Sequence, residues 1–235
     1  MKCMSDFCRK SDTVLIIPAY NEAGNIERVV DELVSCYPQF DYVVVTDGPT
    51  DGTDRICAER GYNTVFLPEN MGLTRCFQSG MRYAFEKGYA YAVQFDGDGQ
   101  HRPEYIGAMV EKAREGYDLV QGSRFIGKDP QKMSGLRSLG SFFIRKAIRR
   151  KTGVTVTDPT CGLRLYSAAL IDDFANRNEY APEPDTIAKL LGRGVRYAEV
   201  GVKVADRENG ESYLKFRPAV KYMKRMLSSI LRETD

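Results

Sequence analysis

The chain has 235 residues, 43% apolar and 28% charged, and 34 basic against 32 acidic side chains leave a net charge of +2. That length suits one domain, since single cores divide only beyond roughly 250 residues, and the composition excludes a disordered chain, a collagen and a nucleic-acid coating protein. His101 is the only histidine, which excludes zinc sites built from two or three imidazoles.

Short β-branched runs alternate with segments of helical period, the sequence pattern of βα units on a parallel sheet. Residues 14–17 read as the first strand, stopped by Pro18. Ile26, Val29, Val30, Leu33 and Val34 then share one helical face, with Asn21 or Asn25 placed to cap it. Residues 43–45 give a second strand, 53–60 a short helix ended by Gly61, and 64–67 a third strand. A helix is expected over 74–86 and a fourth strand over 91–95, running straight into an acidic loop. Pro103 opens a helix closed by Gly116, residues 119–121 form a strand, and 136–151 a basic amphipathic helix. A late strand is expected over 195–204 and a last helix over 219–231. The expected organisation is an extension over 1–12, a domain over 13–212 and a basic amphipathic helix over 213–235.

The six cysteines, at 3, 8, 36, 57, 76 and 161, contain no C-x-x-C pair, which argues against a zinc ribbon or a thioredoxin motif and reads as reduced cytosolic thiols. Residues 1–10 lack the apolar core of a signal peptide, and no window approaches the roughly 18 apolar residues of a membrane span. A cytoplasmic protein, soluble or peripheral at the membrane face, is expected.

The chemistry is placed at the end of the fourth strand, where Asp96-Gly97-Asp98-Gly99-Gln100-His101 sets two carboxylates and an amide oxygen at alternate positions. Such oxygens suit a hard divalent cation, and the glycines allow close approach of a phosphate. A solvated Asp-Gly turn is the alternative. An EF-hand is excluded, because His101 and Gly107 stand where that loop needs Gly and Glu. Polar loops also follow the first two strands, at 18–22 and 46–53. Three such loops on the carboxyl edge of one sheet suggest a nucleotide pocket.

The runs Ile16-Ile17-Pro18-Ala19-Tyr20-Asn21-Glu22, Asp47-Gly48 to Asp51-Gly52-Thr53, Asp96 to His101 and Gly122-Ser123-Arg124 resemble family-two glycosyltransferases of the GT-A fold, closest to the dolichol-phosphate mannosyltransferase-like branch. The resemblance covers about residues 13 to 215. It implies an α/β fold with a mostly parallel central sheet flanked by helices, and inverting transfer from a nucleotide-diphosphate sugar. It further implies Mg2+ or Mn2+ held by Asp96, Asp98 and Gln100, and a nucleoside surrounded by Pro18, Tyr20, Glu22 and Asp47. One departure stands out: the family's Asp-Asp-Gly-Ser is here Thr46-Asp47-Gly48-Pro49, with one carboxylate. Arg124 and Arg164 are the candidates to neutralise the leaving diphosphate. Arg207, with Ser212, matches the family's Arg-x-x-Gly-x-Ser loop over the donor.

Charge is unevenly spread. Residues 136–151 and 213–232 each carry six basic side chains and no acid. Such helices suit an anionic membrane surface or, alternatively, pack on the core with solvated basic faces. No nucleic-acid recognition motif accompanies them. Glu183 and Asp185 start a helix; for an alcohol acceptor either is a candidate general base, whereas a lipid phosphate needs none and leaves them as capping residues. The expected reaction is sugar transfer to a polyprenyl phosphate, a lipid-linked or a cell-surface glycan in polysaccharide biosynthesis, at an anionic membrane surface or on a membrane-embedded partner. A nucleotidyltransferase would want an early Gly-rich basic loop, which Tyr20-Asn21-Glu22 is not. A scaffolding module that only binds sugar nucleotide is the other alternative.

Overall fold

The apolar run after Thr13 is a strand buried on both faces, and the sheet is built outward from it. The computed structural model describes residues 2–3, 8–127, 130–131, 135–177, 180–205 and 216–232. Within them the strands β1 (Lys2–Cys3), β2 (Thr13–Ala19), β3 (Asp41–Asp47), β4 (Thr64–Leu67), β5 (Tyr91–Gln94), β6 (Leu119–Ser123), β7 (Arg164–Ser167) and β8 (Tyr197–Gly201) form one sheet. Its order is β1-β4-β3-β2-β5-β7-β6-β8. The ladders β4–β3, β3–β2, β2–β5 and β6–β8 are parallel, while β7 runs antiparallel to both β5 and β6, and β1 antiparallel to β4.

Helices α1 (Ile26–Cys36), α2 (Thr53–Glu59), α3 (Leu73–Glu86), α4 (Ile106–Arg114), α5 (Gly135–Thr152), α6 (Ala168–Asn176), α7 (Pro184–Gly192) and α8 (Phe216–Leu231) cover the sheet. Alternation along each strand feeds two apolar layers. Val14, Ile16, Val43, Val45, Ala92, Leu119 and Tyr166 meet the buried faces of α3, α5, α6, α7 and α8. Leu15, Ile17, Val44, Val93, Val120 and Leu165 meet those of α1 and α4. The helical periodicity is realised in Ile26, Val29, Val30 and Leu33, the buried side of α1, whose N-cap position is Asn25, while Val34, expected on the same face, is exposed at its edge.

Three features differ from the sequence expectation. The late strand is five residues long, not ten: 195–196 lie before it and 202–204 after it, where Val202 N–H still donates to the Ser123 carbonyl at 2.9 Å but Ala205 N–H turns to the Gln100 carbonyl at 2.9 Å. The helix from Pro103 begins as a 3-10 turn, Pro103–Tyr105, before α4. The pair β7 and α6 was not anticipated, since four residues bounded by Arg164 and Ser167 carry too little apolar alternation to read as a strand. Cys8, Cys36, Cys57, Cys76 and Cys161 are unpaired thiols. No helix among the described residues is long and apolar enough to cross a membrane.

Helix α3 lies directly on β2, and a methyl group at Gly80 would run into the Ile16 side chain, whereas one at Gly107 on α4 would meet open space. Gly80→Ala should therefore lower stability by about 1–3 kcal/mol through overpacking, and Gly107→Ala should raise it by up to about 1 kcal/mol. Urea unfolding midpoints of the two variants should move in opposite directions.

Candidate active site

The carboxyl ends of β2, β3 and β5 point their loops to one edge, and side-chain hydrogen bonds join the loops. After β2, Asn21 takes a left-handed conformation at φ +56°, and its Oδ1 accepts the Thr50 N–H at 2.8 Å. Glu22 N–H donates to Thr53 Oγ1 at 3.0 Å, and Ala23 N–H to Asp51 Oδ2 at 2.9 Å. Burial pushes the Asp51 carboxyl up, but the hydrogen bonds from Thr53 and Ala23 outweigh it and hold it below its ordinary value. Asp47, buried at the end of β3, accepts Met71 N–H at 2.7 Å and Gly72 N–H at 2.9 Å, one on each oxygen. It thereby holds the segment leading into α3. Pro18, Tyr20 and Glu22 stand half-buried along the same edge.

At the end of β5, Asp96 N–H donates to His101 Nδ1 at 3.1 Å. That nitrogen must carry the lone pair, so the imidazole proton sits on Nε2, 3.6 Å from Asp96 Oδ2. The loop closes a second time through Asp98, whose Oδ1 accepts Gln100 N–H at 3.0 Å, with Gly99 at φ +75° making the turn. Gln100 Nε2 donates to the Ala205 carbonyl at 3.0 Å. A side chain at Gly162 would put its Cβ 2.7 Å from Asp96 Oδ2, so the chain entering β7 passes directly against the acid.

The donor set fits a small hard cation. Among the described residues no cluster of three His, Cys, Asp or Glu side chains could form a metal cage. Mg2+ and Mn2+ do not need one: they are commonly held by one or two carboxylates together with substrate phosphates and water. By their chemistry Asp96, Asp98 and the amide oxygen of Gln100 are oxygen donors of the kind such a partial shell uses.

Arg124, after β6, has its guanidinium on another carboxylate. Its Nε donates to Asp158 Oδ2 at 2.6 Å and its Nη2 to Asp158 Oδ1 at 2.8 Å, while its backbone N–H reaches Oδ2 at 3.1 Å. Thr160 Oγ1 donates to Asp158 Oδ1 at 3.1 Å. Asp158 is wholly buried, so this bidentate pair is an interior strut. Arg164 is different. It is 3% exposed and donates to the carbonyls of Cys161 and Pro159 at 3.2 and 3.0 Å. Among the described residues it forms no salt bridge; its charge pulls the Glu183 carboxyl down, and it stands on the face that carries Asp96. Both groups act on Tyr166, whose hydroxyl burial pushes up while Arg164 pulls it down and Asp96 pushes it up.

Register places Gln94, Arg164, Gln121 and Glu199 in one row across β5, β7, β6 and β8. Glu199 Oε1 accepts Thr157 N–H at 2.8 Å and Tyr197 Oη–H at 2.9 Å, which orients the segment that ends in Asp158. Glu199 was not singled out in the sequence; Asp158 heads the segment Asp158 to Arg164, which resembles the family's Asp-x-Thr-Ser-Gly-Phe-Arg with Cys161 in place of Ser, but its hold on Arg124 was not legible, because that residue is 34 positions away and no spacing rule connects them.

Glu183 and Asp185, the sequence candidates for a general base, both hold α8. Asp185 is buried; its Oδ2 accepts Ser229 Oγ–H at 2.6 Å and its Oδ1 accepts Thr186 N–H at 3.0 Å. Glu183 is ion-paired with Arg225. Burial raises the Glu183 carboxyl, Arg225 pulls it back and Asp185 pushes it further up, for a net rise above the ordinary 4.5. Arg207 and Ser212 lie outside the described residues.

Residues 14–174 match the model of the family described as Glycosyl transferase family 2. The chain belongs to that family. A polyprenol monophosphomannose synthase of Mycolicibacterium smegmatis is 27% identical over 211 residues, covering 85% of this chain and 80% of the relative. An undecaprenyl-phosphate mannosyltransferase of Micrococcus luteus is 31% identical over 211 residues, covering 84% and 85%. The chain is thus a glycosyltransferase similar to the dolichol-phosphate mannosyltransferase branch. The crystal structure of glucosyl-3-phosphoglycerate synthase from Mycobacterium tuberculosis with Mn2+ and uridine-diphosphate-glucose superposes at a TM-score of 0.64 and 18% identity, over 93% of this chain and 77% of that one. The expected GT-A fold is therefore present.

Two measurements test the struts of this glycosyltransferase. Asp158→Ala leaves the half-buried Arg124 guanidinium without its partner and should cost about 1–3 kcal/mol in urea unfolding. At Glu183 the folded pKa is raised, so folding favours the protonated form. Its contribution is full below the ordinary 4.5 and is lost as the pH rises through the raised value. Glu183→Gln should flatten the unfolding midpoint against pH over that window.

Proposed function

We propose that this glycosyltransferase moves a hexose from a nucleoside-diphosphate sugar to the phosphate of a polyprenyl lipid, with inversion at the anomeric carbon and with Mg2+ or Mn2+ on the donor diphosphate. The acceptor class is supported by the two relatives, whose names state polyprenol and undecaprenyl-phosphate chemistry. One observation carries it beyond likeness: Asp185 and Glu183 are engaged by Ser229 and Arg225 of α8. A hydroxyl acceptor needs a base in contact with its proton, whereas a lipid phosphate is already ionised.

In this reading the oxygen of the lipid phosphate attacks C1 from the face opposite the nucleotide. The C1–O bond to the diphosphate breaks, and nucleoside diphosphate departs with its electron pair. Pro18, Tyr20, Glu22 and Asp47 line the nucleoside end, with Asp47 also setting the loop at 71–72. Asp96 and Asp98 with Gln100 would hold the cation, which when bound neutralises charge growing on the leaving group. Arg164 offers its guanidinium to a phosphate, while Arg124 keeps the neighbouring segment in place and presents what remains of its fork. Arg207 and Ser212 belong to the loop proposed to cover the donor. The central domain over 13–212 carries this machinery, and α8 packs into its core through Met226 and Ile230.

The test is transfer from a panel of UDP-, GDP- and dTDP-sugars to undecaprenyl phosphate in detergent, with the anomeric configuration of the product read by NMR. Opposite configuration to the donor is expected; retention overturns single displacement, and transfer only to a soluble glycan overturns the acceptor. Removal of divalent metal with EDTA should abolish turnover, and Asp98→Asn should lower kcat by about 100-fold or more while leaving the unfolding midpoint near that of the parent. Normal metal-dependent turnover in that variant makes Asp98 a turn residue only.

A further inference from the structure

Both basic helices were candidates to meet a membrane, and the structure separates them. On α8, Met226 and Ile230 are fully buried in the core and Tyr222, Met223 and Leu227 are half-buried. Met223 is packed onto α5 at Gly140. Among the described side chains of α8 the apolar side is thus consumed by the fold, with Leu231 at its end left exposed. Helix α5 does the opposite. Its Ile144, Ala147 and Ile148 enter the core, while Leu139, Phe142 and Phe143 face outward at 50%, 48% and 44% exposure. The two phenylalanine rings meet edge-on at 5.6 Å between centroids. Continuing the same stripe at helical spacing are the exposed Lys146, Arg149 and Arg150. No acid occurs between Pro130 and Thr157.

We infer that this outward stripe of α5 docks on an anionic lipid bilayer, the three apolar side chains inserting at the headgroup boundary and the three cations pairing with lipid phosphates. An aromatic and aliphatic patch followed by cations without acids has the chemistry of an interfacial helix. Each basic residue near such a surface adds to the attraction. The stripe also sits where docking serves the reaction. Arg145 on α5 and Arg124 both lie over the Phe125 ring, at 6.0 and 5.8 Å, and Arg145 Nη1 donates to the Thr157 carbonyl at 3.5 Å. Helix α5 is therefore coupled to the segment holding Asp158 and Arg124, so a bilayer seated on it presents headgroup phosphates beside the site. The value of this placement rests on the lipid-phosphate reading above, but the docking itself does not.

The test is co-sedimentation of the full chain with vesicles of phosphatidylethanolamine and phosphatidylglycerol at low salt. The parent should sediment, and raising the salt should weaken it, since charges are screened over roughly 8 Å at physiological ionic strength. Phe142→Ser/Phe143→Ser and Lys146→Glu/Arg149→Glu/Arg150→Glu should each cut partitioning about tenfold or more. All five positions are solvent-exposed, so the unfolding midpoints and donor hydrolysis should stay near those of the parent. Phe85→Ser, which removes an exposed ring on α3, should sediment like the parent. Parent protein that fails to sediment, α5 variants that sediment unchanged, or an equal loss in Phe85→Ser would each overturn the proposal. Transfer assayed in the same vesicles keeps the two readings apart. Docking through α5 without transfer to undecaprenyl phosphate refutes the acceptor alone, and transfer by the parent together with unchanged sedimentation of the α5 variants refutes the docking alone.

Discussion

Asp158 is a carboxylate with no access to water, and the right-hand half of the site depends on how its charge is met. A buried ion costs several kcal/mol to desolvate, and only near-ideal geometry with every lone pair engaged repays it. Here the Arg124 fork, the Arg124 backbone N–H and the Thr160 hydroxyl all converge on it. The Glu199 carboxylate receives the backbone N–H groups leading into it. Those bonds tie the ends of β6 and β8 to the segment 157–162. The position of Gly162 against Asp96 and of Arg164 beneath it follows from that tie. Moving Asp158 would shift the acid loop and the buried guanidinium together.

The left-hand half uses weaker but more numerous bonds. Asn21, Asp47, Asp51 and Thr53 each accept backbone N–H groups from a neighbouring loop. They act as cross-braces between loops of the parallel sheet, whose strand ends would otherwise leave those N–H groups to solvent. A pocket braced this way is preorganised before substrate arrives, which keeps the reorganisation cost of binding a charged diphosphate low. The buried Arg164 stands between the two halves, its guanidinium held by the carbonyls of Cys161 and Pro159.

The charge of the chain is nearly balanced in total, yet the fold segregates it. Helices α5 and α8 pack against each other, and the Lys151 ammonium donates to the Arg232 carbonyl where their ends meet. Their cations therefore share one side of the molecule. Of those on α8, Arg225 is drawn inward by Glu183, which ties the helix to the start of α7. The partition of roles is physical: α8 spends its apolar face on the core, and α5 keeps three large apolar side chains in water.

Much of the fold was legible in the chain, because a strand buried on both faces, such as residues 14–17, is a continuous β-branched run, and α1 repeats its apolar residues at helical spacing. The Asp96–Gln100 motif was legible as an oxygen-rich loop for the same local reason: its spacing lies within six residues. What the sequence could not disclose was every relation between distant residues. The antiparallel insertion of β7 depends on pairing with strands far away in the chain. The engagement of Arg124 by Asp158 and of Asp185 by Ser229 joins positions 34 and 44 residues apart. The same limit applies to the basic helices, whose composition alone is equally suited to core or membrane. Local pattern determines which segments are helix or strand and which loops carry oxygen ligands. Only the packing of those segments decides which charges are paired, which are left bare, and which apolar faces remain outside, because burial is a property of neighbours rather than of residues.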